Sequence, residues 1–217
     1  MGILFLVTSI VKQKDCEKDQ TEERFQQTIH TIQTIKKKVP DAIIVVLEAS
    51  HGCKTLVMFA DVFMFYIDHE LIDNPNSQEA TILQIFLNSD CYKNLTHTTN
   101  YMVFKISGRY FLNDHFDFAK FHPYKINCRI IDAKNDPNDT HYDVGHKMTA
   151  APDICAVTYL FSFPSEMTDF ILKRLQFVLD CSEKHHIFKH VSDDIIHNTD
   201  VIGISGTQSA TGRFVAY

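Results

Sequence analysis

The sequence predicts an α/β protein with a mixed, mostly parallel central sheet flanked by helices. Two observations predict it. Short, mainly apolar runs at residues 3–10, 42–47, 62–67 and 101–106 read as strands, the second of them continuous, as in strands buried on both faces. Between the first two, the apolar period changes to that of a helix, with Phe25, Ile29, Ile32 and Ile35 on one face. Strand, helix, strand in that order implies a right-handed crossover and parallel pairing. A third observation fixes the scale. The chain has 217 residues, 45% of them hydrophobic and 17 of them Phe, which suits one domain, residues 1–217, with a sizeable core.

The elements follow in order. After the strand at 3–10 comes a polar loop at 12–18. Asp19, with Glu22 three residues on, opens a helix in the manner of a capping box. Lys36, Lys37 and Lys38 suit its last turn, and Pro40 stops it. Strands at 42–47 and 62–67 follow, then a turn at 73–77 containing Pro75. Ser77 is placed to cap a helix through Leu87, with Ile82, Ile85 and Phe86 inward. Strands at 101–106, 126–131 and 154–163 come next, with an exposed Asn/Asp-rich loop at 132–143. Pro164 suits the first turn of a helix reaching about Leu179. The tail carries apolar stretches at 187–191 and 201–204, then Gly206 and Gly212. Residues 1–112 thus read as a Rossmann-like nucleotide-binding half and residues 113–217 as a less regular half.

Composition excludes several classes. The net charge of −6 leaves no basic domain to grip nucleic acid phosphates. No apolar run is long enough to span a membrane. The start lacks a basic leader and a small-residue cleavage site, so a cytoplasmic protein is expected. Cys16, Cys53, Cys91, Cys128, Cys155 and Cys181 form no C-x-x-C pair and read as free thiols. There is no P-loop, no G-x-G-x-x-G after the first strand and no G-x-S-x-G elbow. His185, His186 and His190 have no acidic or cysteine partner pattern and read as a solvated helix end.

In open α/β sheets ligands bind beyond the carboxyl ends of the strands. Those ends carry Thr8 and Ser9, then Glu48 and Ser50, then Asp68-His69-Glu70, then Ser107-Gly108-Arg109. Any strand must end in something polar, and that bland reading stands beside the functional one. Asp68 and Glu70 can offer two carboxylates to Mg²⁺ or Mn²⁺. Gly108 permits close backbone approach, Arg109 offers a planar fork for phosphate, and Lys105 adds a point charge. Lys105 lies inside an apolar strand, where a lysine needs a partner or a task.

These segments resemble a family of small GT-A-like glycosyltransferases encoded by large DNA viruses, including those infecting algae, with relatives in microbial sugar-coat pathways. The resemblance rests on residues 3–9, on Glu23-Arg24-Phe25 with Gln27-Thr28, on residues 44–50, and above all on residues 104–112. Residues 201–206 with Thr211-Gly212 also fit. It implies hexosyl transfer from a nucleoside diphosphate sugar, UDP-linked by preference, to a glycan or glycoprotein acceptor. In a virus the setting would be the host cytoplasm, and the chain can be one module of a longer one. The donor would meet Thr8, Ser9, Glu48, Lys105, Ser107, Gly108 and Arg109. Many such enzymes hold a divalent metal with an Asp-x-Asp motif after the fourth strand, a place occupied here by Ser107-Gly108-Arg109. Either Asp68 and Glu70 hold Mn²⁺ or Mg²⁺, or Arg109 and Lys105 neutralise the diphosphate directly. Asp114, Asp117, Glu183, Asp193 and Asp194 are candidates for the base that deprotonates the acceptor, with none preferred. Two alternatives stay open. A sugar nucleotidyltransferase would show a glycine-rich basic loop after the first strand, where this chain has Lys12, Lys14 and Lys18 but no glycine. A non-catalytic nucleotide- or glycan-binding module would bind without turnover.

Overall fold

The computed structural model describes residues 1–12, 18–50, 54–66, 75–132, 154–181, 187, 188, 191–199, 202–207 and 214–216. Its strands are β1 (Gly2–Ser9), β2 (Ile43–Glu48), β3 (Val62–Phe65), β4 (Tyr101–Ser107), β5 (Tyr110–Leu112), β6 (Ile126–Asp132), β7 (Ile154–Pro164), β8 (Ile196–Asn198), β9 (Ile204–Thr207) and β10 (Phe214–Ala216). Its α-helices are α1 (Lys18–Lys38), α2 (Pro75–Asn88), α3 (Asp90–Thr96) and α4 (Thr168–Cys181). The central sheet has seven strands in the order β3-β2-β1-β4-β7-β6-β8. β3, β2, β1 and β4 pair in parallel, as do β6 and β8, whereas β7 runs against both β4 and β6. The expected α/β class, mixed and mostly parallel with flanking helices, is borne out.

Side-chain alternation explains the mainly apolar runs. Leu4, Leu6, Val45, Leu47 and Val103 face Ile82, Leu83 and Phe86 of α2 and Ile171, Leu175 and Val178 of α4. Phe5, Val7, Ile44, Val46, Phe104 and Ile106 face the other way, onto Ile29, Ile32 and Ile35 of α1. A strand covered on both faces has no polar side to alternate with. The second face also carries the small antiparallel sheet β10-β9-β5. An aromatic cluster lies there: the Phe5 and Phe104 rings stack at 4.8 Å, and Phe121 meets Phe104 edge-on at 5.0 Å. Gly203, at φ +72°, leads into β9, where a side chain would collide with the Phe116 backbone.

Boundaries differ from expectation at three helix starts. α1 begins at Lys18, ahead of Asp19, which was expected to cap it. α2 starts at Pro75, so Ser77 lies inside the helix and is buried rather than capping it. Proline fits this first turn because its missing N–H costs nothing there. Pro164 instead ends β7 in extended conformation, and a 3₁₀ turn, Ser165–Met167, precedes α4. α3 arises where Ser89 accepts from Tyr92 N–H at 3.2 Å and the buried Tyr92 ring meets Phe86 at 5.6 Å. The expected loop, beyond residue 132, and the histidines His185, His186 and His190 lie outside the described residues.

Candidate active site

The chain leaves β1 toward β2 and β3 on one side, then returns to place β4 on the other. The topological switch point therefore lies at the carboxyl ends of β1 and β4, where Thr8 pairs with Ser107. β2 brings Glu48 alongside Ser9. α1 and α2 each follow a strand that ends at this edge, so both helix N-termini open onto it, a favourable setting for anions.

Ser9 and Glu48 form the first cluster. Ser9 Oγ lies 3.1 Å from Thr28 Oγ1 of α1, and Ser9 O accepts from Ala49 N–H at 2.8 Å. Glu48 is fully buried. Its Oε1 accepts from Val11 N–H at 3.0 Å and from the Ser50 hydroxyl, while Lys12 N–H donates to Ser50 Oγ at 2.9 Å. Its Oε2 is shielded from solvent and has no hydrogen-bond partner among the described residues. Burial raises the pKa of Glu48 above the usual range, against the opposing hydrogen bonds from Ser50, Ser9 and Val11.

Ser107-Gly108-Arg109 turns the chain from β4 into β5. Gly108 N–H donates to Thr8 O at 2.8 Å, and the Thr31 hydroxyl reaches Gly108 O at 3.0 Å and Tyr110 O at 2.8 Å. A Cβ on Gly108 would come within 2.9 Å of Thr28 Oγ1. The close approach that requires glycine here is to α1. Arg109 is partly buried, and its Nη1 is shielded without a hydrogen-bond partner among the described residues.

Lys105 differs from its reading as a rim charge. It is 2% exposed and projects from the opposite face, where Nζ meets Glu79 Oε1 at 2.7 Å and Thr158 O at 2.8 Å. Thr8 Oγ1 donates to the same Glu79 oxygen at 2.6 Å. Glu79, on α2, thus gathers two residues that the sequence reading aimed at a donor. The signal for it was present: a lysine inside a buried strand demands a carboxylate on the helix covering that face.

The four described candidate bases, Asp114, Asp117, Asp193 and Asp194, do not gather at this edge. β5 runs back along α1, and Asp114 pairs with Lys38 in the last turn of α1 at 3.1 Å. That hydrogen bond and charge hold the exposed Asp114 carboxyl below its usual range. Asp117 caps a 3₁₀ turn, Phe118–Lys120, accepting from Ala119 N–H at 2.9 Å. Asp193 and Asp194 precede β8, whose Ile196 pairs with Ile126 at the start of β6. They therefore sit at the amino edge, where Asp193 O accepts from Lys125 Nζ at 3.2 Å. Asp68, Glu70 and Glu183 lie outside the described residues, among which no three His, Cys, Asp or Glu side chains form a metal-binding group. No helix among the described residues is long and apolar enough to cross a membrane.

No protein-family model and no curated protein matches the chain. Among solved structures, it is similar to a glycosyltransferase involved in glycosylation of the major capsid of PBCV-1, at 8% identity and a TM-score of 0.43, covering 91% of this chain and 82% of that one. It is also similar to the CTP:phosphocholine cytidylyltransferase of Streptococcus pneumoniae, at 10% identity and a TM-score of 0.44, covering 94% and 92%. For the galactosyltransferase LgtC the values are 8% and 0.42, covering 92% of this chain and 68% of that one.

Proposed function

We propose that this chain is a glycosyltransferase that moves a hexosyl group from a nucleoside diphosphate sugar, UDP-linked by preference, to a glycan or glycoprotein acceptor. One observation carries the reading. The switch-point edge holds two solvent-shielded polar atoms without partners among the described residues, Glu48 Oε2 and Arg109 Nη1, beside Ser9, Ser50 and Gly108. Buried polar atoms are ordinarily satisfied, so such a pair calls for a ligand. A carboxyl suits hydroxyl and amide hydrogens of a nucleoside, and a guanidinium suits a diphosphate. The two helix N-termini add to the attraction for negative charge.

In this reading Arg109 binds the diphosphate and steadies the charge that grows on it as the sugar leaves. Glu48 and Ser9 orient the nucleoside. Lys105 acts one step back, by holding Glu79 and through it Thr8. Asp68 and Glu70, which follow β3 in sequence, are proposed to hold Mn²⁺ or Mg²⁺, which would supply further neutralisation of the leaving diphosphate. The glycine-free segment after β1 favours sugar transfer over nucleotidyl transfer.

A thermal-shift panel of nucleoside diphosphate sugars with and without Mn²⁺ tests this, followed by assay for released nucleoside diphosphate. A ligand at a hundred times its dissociation constant stabilises by about 2.7 kcal/mol, a readable shift. Stabilisation by a nucleoside diphosphate sugar with release of nucleoside diphosphate is expected. Pyrophosphate release from a nucleoside triphosphate and a sugar phosphate, or no response to any donor, would overturn the proposal.

A further inference from the structure

We propose a second binding site, for a neutral carbohydrate, at the amino edge of the central sheet. β4 separates it from the switch-point edge by its full length, about 20 Å at ~3.3 Å per residue. A cavity of about 490 Å³ opens there, its walls including Thr98, Thr99, Asn100, Tyr124 and Glu166. Volumes of this size accommodate one or two sugar rings.

The walls are fixed from behind. Asn100 O accepts from Gly2 N–H at 2.8 Å, tying the approach to β4 onto β1. Asn100 Nδ2 donates to Glu166 Oε1, which links two polar walls. Tyr101 N–H donates to Ser165 Oγ at 3.0 Å, anchoring the segment that carries Glu166. The loop before β6 is held by the fully buried Asn127, whose amide accepts from His122 N–H at 2.6 Å and donates to His122 O and Lys125 O at 3.0 Å each. Tyr124 N–H donates to His122 Nδ1 at 3.2 Å. The backbone of Tyr124 is therefore set, while the residue is 78% exposed.

The chemistry selects the ligand class. An aromatic ring has a negative face, which receives the weakly positive C–H face of a pyranose. Beside it stand two threonine hydroxyls, an amide oxygen and a carboxylate, which together donate to and accept from neighbouring sugar hydroxyls. Met1 and Pro123 complete the lining, and the terminal ammonium of Met1 is offset by Glu166, so the site has no net positive charge to hold a phosphate or nucleotide. One ring and a carboxylate already bound to Asn100 are a poor cage for a quaternary amine, whose recognition uses several rings. A carbohydrate satisfies both the ring and the polar groups.

The inference stands apart from the donor reading, because binding is read on the full chain with no nucleotide present. Amide chemical shifts are followed while glucose, galactose, mannose and lactose are each added to about 50 mM, which covers the millimolar range expected of a shallow site. The expected result is saturable shifts at Thr98, Thr99, Asn100, Tyr124 and Glu166 with at least one sugar. Tyr124→Ala, at an exposed position, should keep the native spectrum elsewhere and bind about tenfold more weakly. Arg109→Ala should bind the sugar as wild type does. Absence of saturable shifts with every sugar, shifts centred on Ser9, Glu48 or Arg109, or an equal response to choline would each overturn the site.

Discussion

At the scale of single residues, the buried charges give the sharpest expectations. Lys105→Met leaves the half-buried Glu79 without its cation, which should cost about 3 kcal/mol in urea unfolding. Lys105→Met with Glu79→Met removes both charges and should regain most of that loss. Wild-type stability with abolished donor binding in the single variant would instead make Lys105 a ligand-facing charge. Glu48 titrates in the opposite sense to a salt-bridged acid. Its folded pKa lies above its ordinary 4.5, so the folded state holds the proton longer than the unfolded chain. Stability should fall as pH rises from about 4.5 through the folded pKa, because the folded state then binds more protons. Glu48→Gln should flatten this slope in unfolding measured at several pH values. An unchanged slope would place the pH dependence elsewhere. Arg109 is tested by comparing Lys and Ala. Loss of the guanidinium fork and charge should weaken donor binding by about 1.5–3 kcal/mol in Arg109→Ala, and less in Arg109→Lys. Because Asp114 is paired with Lys38, Asp114→Ala should not couple to Arg109→Ala in apo stability.

Between elements, the β4–β5 turn packs closely against α1 beside the site. Gly108→Ala would push Cβ against Thr28 Oγ1 and, at 3.3 Å, Thr8 O. The overpacking should cost about 1–3 kcal/mol, and Thr28→Ala in the same chain should relieve part of it. No recovery in thermal unfolding of the double variant would mean that the backbone, not Thr28, sets the limit. The long elements were legible in the sequence because each repeats its period several times: α1 shows four apolar residues on one stripe, and β1, β2 and β4 are mainly apolar runs, with Lys105 a charge inside β4. β5, β8 and β10 have three residues each, too few to display any period. Ser77 and Pro164 misled for a common reason. A capping serine and a helix-opening proline are both read from local preference, whereas tertiary packing put the helix start at Pro75 and drew Pro164 into pairing with Met102.

For the whole molecule, the rule that ligands gather at strand carboxyl ends singled out Thr8, Ser9, Glu48, Ser107, Gly108 and Arg109 as candidates, and the structure places these residues at the ends of three neighbouring strands. The rule could not separate the faces of the sheet, so Lys105 was grouped with residues on its other side. Nor could it place carboxylates from the second half of the chain, because their edge depends on the directions of β6, β7 and β8. Residues after Leu112 complete both sheets: β6, β7 and β8 extend the large one, and β9 and β10 join β5. A chain ending at Gly203 should therefore uncover the apolar ground beneath β5 and bind a hydrophobic dye. A truncated chain that stays dye-silent and unfolds cooperatively would show that β9 and β10 are dispensable. The reversed strand β7 has one more consequence, for synthesis. It lies between β4 and β6 in space but follows β6 in the chain. A ribosome delivers β6 first, with no neighbour beside it, and at about 5–20 residues per second the strand that must slot between arrives after a delay on the order of seconds. During that interval the nascent protein carries two open sheet edges, and it is then that it most needs a chaperone.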